Sequence, residues 1–104
     1  MATFQFEIIT PERIVYSANI SSLIAPGTEG YFGVLAHHAP LIACSNGGKL
    51  KIREVSNQER VFEVGSGIVE VLPARLRKQS ASSEKMDRVI FFTKQAQPAQ
   101  AEIK

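Results

Sequence analysis

The sequence predicts an all-β fold, a two-layer antiparallel β-sandwich, and three observations carry that prediction. Apolar and polar residues alternate in short runs, turn signals separate the runs at close intervals, and no segment before residue 73 carries a helical apolar stripe. Alternation sends successive side chains to opposite faces of a strand, so one face can be buried while the other meets water.

Phe4, Phe6 and Ile8 alternate with Gln5 and Glu7, which gives a first strand ended by Thr10-Pro11. Pro11-Glu12-Arg13 is compatible with a helical turn, but Ile14-Val15-Tyr16 is β-branched and aromatic and reads better as strand. Pro26-Gly27 marks the next turn, and a glycine-rich stretch then leads to the apolar run Leu41-Ile42-Ala43-Cys44. After Asn46-Gly47-Gly48, Lys49 to Arg53 places Leu50 and Ile52 on one face. Arg60 to Val64 and Ile68 to Val71 follow the same pattern less strictly, separated by Gly65-Ser66-Gly67. Leu72-Pro73 closes that strand. Residues 74–87 are polar with a Ser-rich middle and read as a long loop between strands, with a short helix as the alternative. Arg88-Val89-Ile90-Phe91-Phe92 is a nearly continuous apolar run of strand formers. From Gln95 onward there is almost no large apolar side chain, so too little surface is buried to offset the ordering entropy. The expected organisation is one sandwich over residues 1–94, with 74–87 as an inserted loop, and a mobile tail over 95–104.

Composition narrows the function. The 104 residues hold 12 Lys and Arg against 10 Asp and Glu, and a net charge of +2 is too small to imply a nucleic-acid or membrane-surface partner. Arg75, Arg77 and Lys78 form the densest basic cluster, without aromatic residues to stack on bases. The one cysteine, Cys44, excludes an internal disulfide and lies in an apolar run, where a thiol is expected to be a small buried hydrophobe. The N-terminal stretch lacks the long apolar centre of a signal peptide, and no run approaches the ~20 apolar residues that cross a bilayer as a helix.

Gly27, Gly30 and Gly33 recur at a spacing of three, but they lead into Val34-Leu35 and then Pro40 instead of a helix. A phosphate loop would need the helix N-terminus and its Lys-Ser/Thr ending. The glycines read instead as the shaping residues of an exposed loop whose tip carries Glu29, Tyr31 and Phe32. His37-His38 suggests a metal, yet neighbours on a strand point to opposite faces, and there is no further histidine to complete a site. The ten carboxylates are scattered, and no serine sits in a nucleophile elbow. No catalytic residue, metal ligand or cofactor-binding residue is assigned.

The segment GTEGYFGVLAHHAPL, preceded by FQFEIITPERIVYS and followed by GGKLKI and FEVGSGIVEV, resembles the epsilon subunit of F-type ATP synthases. Gly27, Gly30, Gly33, Val34, Leu35, His38, Pro40 and Leu41 match the family pattern, so that His38 takes the family histidine position and His37 does not. The resemblance spans residues 4–72 and resumes at Arg88 to Phe92. It implies a β-sandwich at the foot of the central stalk, with one side on the gamma subunit and one end on the polar loops of the c ring. It further implies a non-catalytic torque-carrying role, without cofactors, on the cytoplasmic side of an energy-transducing membrane. Glu29, Gly30, Tyr31 and Phe32, with His38, are the expected ring contacts. The gamma-contacting face is not assignable from one sequence. Two departures stand out: about a dozen residues inserted around 74–87, and an end soon after Phe92, where most bacterial relatives continue into a two-helix hairpin. The hairpin's inhibitory and ATP-binding roles are therefore not carried over, and residues 93–104 are expected to be too short to replace it.

Overall fold

The computed structural model describes residues 2–74 and 87–99. Nine strands fill most of that length: β1 (Phe4–Ile9), β2 (Ile14–Gly27), β3 (Gly30–Leu35), β4 (Leu41–Ser45), β5 (Gly48–Glu54), β6 (Glu59–Val64), β7 (Gly67–Leu72), β8 (Arg88–Thr93) and β9 (Ala96–Ala99). Among the described residues there is no α-helix. Hydrogen-bonded neighbours run β4-β7-β8-β1-β2-β5-β6-β9, with β3 added to β2. Pairing is antiparallel throughout except between β1 and β8, which run parallel.

β2 makes one continuous ladder into a sandwich. Its first half, Ile14 to Ile20, pairs with β1, while Ile20 to Ile24 pairs with β5 and Ser22 to Gly27 with β3. The β5 register shifts between Ile20 and Ser22. Tyr16, Ala18 and Ile20 face the core before that point, and Leu23 and Ala25 face it afterwards. A bulge of this kind bends a strand and re-aims its side chains, which lets β2 pass from one layer to the other. One layer is then β4, β7, β8, β1 and the start of β2; the second is β3, the end of β2, β5, β6 and β9.

The alternating residues meet between the layers. Phe4, Phe6 and Ile8 of β1, Leu50 and Ile52 of β5, and Phe91 of β8 are fully buried and join one cluster with Val34, Phe62, Val64, Val69, Val71 and Val89. Burying each such side chain contributes about 1.5–3 kcal/mol relative to exposing it. At one side of this core the ring of Tyr16 lies 6.2 Å from that of Phe6 and 5.3 Å, edge-on, from that of Phe62, linking the layers.

The sheet runs past residue 94. Val61 to Val64 of β6 pair with Ala99 to Ala96, so the stretch read from composition as the start of a tail supplies β9. Backbone bonding gives order there without large side chains, and Pro98 fits because an edge strand has one side free of ladder bonds. Residues 100–104 of that tail, and 75–86 of the inserted loop, lie outside the described residues.

Candidate partner-binding surface

β3 is an edge strand whose only partner among the described residues is β2. The two-residue turn Thr28-Glu29 joins them, with Gly27 opposite Gly30. Gly30 has φ 118°, a conformation that a side chain would strain, and the space around it is open. Glu29 is exposed and Tyr31 is 62% exposed, so both stand at the tip. Phe32 does not: alternation turns its ring inward, where it is half-buried against the core. The Thr28 N–H donates to the Cys44 carbonyl at 3.1 Å, which fastens the turn to β4.

His38 lies beyond the other end of β3, in the 36–40 loop, and is half-buried. A six-residue strand is roughly 17–20 Å long, so Glu29, Gly30 and Tyr31 form one group and His38 another. What they share is the β3 edge between them, where Tyr31 and Leu35, 64% exposed, point outward. The His38 Nδ1 is 2.7 Å from the Ala39 carbonyl, and because a carbonyl only accepts, Nδ1 carries the proton. His37 is exposed and has φ 68°. Among the described residues no three His, Cys, Asp or Glu side chains converge where a metal ion could be held.

Asp87, which belongs to no motif, organises this end of the sandwich. Its carboxylate accepts the N–H of His37 at 2.5 Å and that of Ala74 at 3.0 Å. Only the fold brings these residues together, so sequence spacing gives no sign of it.

A second surface has a clearer sequence signal. Cys44, Ile68, Phe92, Ile9 and Ile14 lie side by side across β4, β7, β8, β1 and β2 on the outward face of their layer. Ile14 is 55% exposed, Ile68 45% and Phe92 41%, and Ile42 in the neighbouring row reaches 71%. Cys44 is exposed too, not buried as its apolar run suggests, because the β4–β7 register sets it opposite outward-facing Ile68. A shallow groove of about 360 Å³, lined by Ile9, Pro11, Ser66, Phe92 and Lys94, continues this face at its end. The sequence mark of such a face is an apolar run without alternation, as in Ile90-Phe91-Phe92, since such runs belong to strands covered on both sides. Polar side chains on this face include Gln5, Asn19 and Glu70 and a group around Glu7. There Arg88 Nη2 donates to Glu7 Oε1 at 2.9 Å and Ser17 Oγ to Glu7 Oε2 at 3.2 Å, while the buried Arg88 Nε has no hydrogen-bond partner among the described residues.

Comparison with known proteins bears on what this arrangement serves. Residues 3–77 match the family described as the ATP synthase Delta/Epsilon chain beta-sandwich domain. The ATP synthase epsilon chain of Rhodopseudomonas palustris strain BisB18 is 44% identical over 71 residues, covering 68% of this chain and 52% of the relative. That of Syntrophomonas wolfei is 32% identical over 101 residues, 97% of this chain and 74% of the relative. The chain thus spans about half to three quarters of the length of these relatives. A chain in the structure of the Euglena gracilis mitochondrial ATP synthase OSCP/F1/c-ring shares the fold with a TM-score of 0.76 at 16% identity, covering 94% of this chain and 54% of that one. A chain in the central stalk and c-ring structure of the Tetrahymena thermophila mitochondrial ATP synthase shares it with a TM-score of 0.63 at 19% identity, covering 89% and 64%. The family match over residues 3–77 and the 32% identity to a relative over 97% of the chain show that the chain belongs to the ATP synthase delta/epsilon chain family through its β-sandwich domain.

Proposed function

We propose that this chain is a non-catalytic central-stalk subunit of a rotary ATP synthase, passing rotation between the membrane c ring and the gamma subunit during proton-driven synthesis. One observation carries the reading: a sandwich of this family keeps an apolar row, Ile14, Ile68 and Phe92 with Ile42 beside it, on a face where solvent alone would favour polar side chains. A packed partner removes that row from water, and gamma is the partner assigned to it. The c ring is assigned to the β3 edge, with Glu29, Gly30 and Tyr31 at one end and His38 at the other, while the inward ring of Phe32 belongs to the core. Because those groups stand a strand's length apart, the ring contact extends along β3 and includes Leu35. The chain then sits peripherally on the cytoplasmic side of an energy-transducing membrane, held there by its partners.

Torque transfer asks for a body that resists shear, and two layers locked by strand ladders over a close-packed core meet that requirement. No bond is made or broken by this chain in the proposed role. Residues beyond β9 are assigned no inhibitory action.

Titration of the full chain against the gamma subunit of the same organism tests the assignment. Ile68→Glu should weaken binding about 30-fold, the scale of one interface hot spot, while Lys51→Glu on the opposite outer face should leave it unchanged. Undiminished gamma binding by both Ile68→Glu and Phe92→Glu would remove this face from the interface.

A further inference from the structure

We infer that Asp87 is the positioning residue for the His37–Pro40 loop, and through that loop for the placement of His38. The positioning rests on geometry alone; its consequence for the c ring rests on the function proposed above. Asp87 immediately precedes β8 and ties three separate stretches of chain together. Its Oδ2 accepts the His37 N–H at 2.5 Å, its Oδ1 accepts the Ala74 N–H at 3.0 Å, and its backbone carbonyl accepts the Gln5 N–H at 3.0 Å. Hydrogen bonds to an ionised carboxylate are about twice as strong as neutral ones, and here both oxygens are used.

The loop needs such a brace. His37 holds φ 68°, the left-handed region that residues with a β-carbon rarely occupy. Its side chain is exposed, so packing does little to hold it there. The carboxylate fixes the backbone entering His38, and the Nδ1 contact to Ala39 at 2.7 Å fixes the imidazole leaving it. Asp87 also couples the two connections at this end, since the donor on its second oxygen is the residue that follows β7 and Pro73. A displacement of the β7 exit is thereby transmitted to the loop after β3, although the two are 37 positions apart in sequence from Ala74 to His37.

Amide hydrogen exchange of the full chain tests the brace directly. In Asp87→Ala both the His37 and Ala74 amides should exchange at least about ten-fold faster, while Val69 and Phe91 in the core strands stay as slow as before. In Asp87→Asn one of the two should accelerate, because a carboxamide offers a single acceptor oxygen where the carboxylate offers two. If Asp87→Ala does not fold, Asp87→Asn decides alone. Unchanged exchange at both amides, or equal acceleration at Phe91, would overturn the inference. Binding to a purified gamma–c-ring assembly then separates the two readings. If Asp87 acts through the loop, Asp87→Asn combined with His38→Ala binds no more weakly than His38→Ala alone, and additive losses would count against it. Full-strength binding by His38→Ala, with exchange at His37 still accelerated, would leave the brace standing and remove His38 from the ring contact.

Discussion

Glu54 Oε2 accepts a hydrogen bond from the Tyr16 hydroxyl at 2.7 Å and forms an ion pair with Arg60 Nε at 2.6 Å, and so joins β2, β5 and β6 at one point. Burial, then the bond to Glu54 and its charge, push the Tyr16 phenol well above its ordinary value of 10.0, against an opposing pull from Arg60. The folded chain therefore holds this proton more tightly than the unfolded chain. The contribution to stability is whole below about pH 10 and is lost progressively as the pH rises beyond it. Denaturation between pH 9 and 11.5 should show the natural chain losing stability more steeply than Tyr16→Phe, and parallel curves would refute the linkage. At neutral pH, Tyr16→Phe should cost about 1 kcal/mol, the net worth of one hydrogen bond. Gly67 is constrained differently. A β-carbon there would stand 1.9 Å from the Phe92 carbonyl oxygen, a backbone atom that cannot turn aside. Gly67→Ala must push β7 from β8 and should destabilise by about 1–3 kcal/mol in chemical denaturation, the usual range for overpacking.

At the scale of the element, β2 separates what alternation can and cannot reveal. Leu23 is 1% exposed and Ile24 46%, although the two are neighbours of nearly equal volume. Leu23→Ala should cost about 2–5 kcal/mol by leaving a cavity, and Ile24→Ala should fall within the small range typical of surface positions. Similar costs at the two sites would contradict the strand's phase. Strands β1 and β5 are legible because Phe4-Phe6-Ile8 and Leu50-Ile52 keep a strict period of two into the core, and β6 less strictly, since Val61 interrupts the alternation that buries Phe62 and Val64. In β2 the period slips, from Tyr16, Ala18 and Ile20 to Leu23 and Ala25, because the bulge adds a residue where the strand changes layers. Its full 14-residue length is therefore hidden from a test for regular alternation. β9 is hidden for another reason: Ala96-Gln97-Pro98-Ala99 owes its order to backbone pairing with β6, which leaves no trace in composition. The turn carrying Glu29 to Tyr31 is legible from its glycines. The inward ring of Phe32 follows from alternation once β3 is placed, and the distance to His38 follows from that strand's length.

Seen whole, the molecule has two unlike outer faces. On the layer holding β5 and β6, Lys49 lies opposite Glu63, and Arg53 opposite Glu59 with a 3.6 Å ion pair, so this face is solvated and charged. On the other layer the exposed row is Ile14, Phe92 and Ile68, with Ile42 and Cys44 at the β4 edge. A net charge of +2 supplies little general repulsion between copies. An isolated chain should therefore relieve its apolar face by associating with itself. Sedimentation of the full chain should show a weight-average mass that rises with concentration, and addition of gamma should suppress the rise. Replacing Ile42 and Phe92 together by Lys should abolish self-association with little loss of stability, because both side chains already meet water. Lys51→Glu on the charged face should not change it. If the natural chain remained monomeric over the whole concentration range, the apolar row would be tolerated by water as it stands, and the physical reason for placing a partner there would be gone.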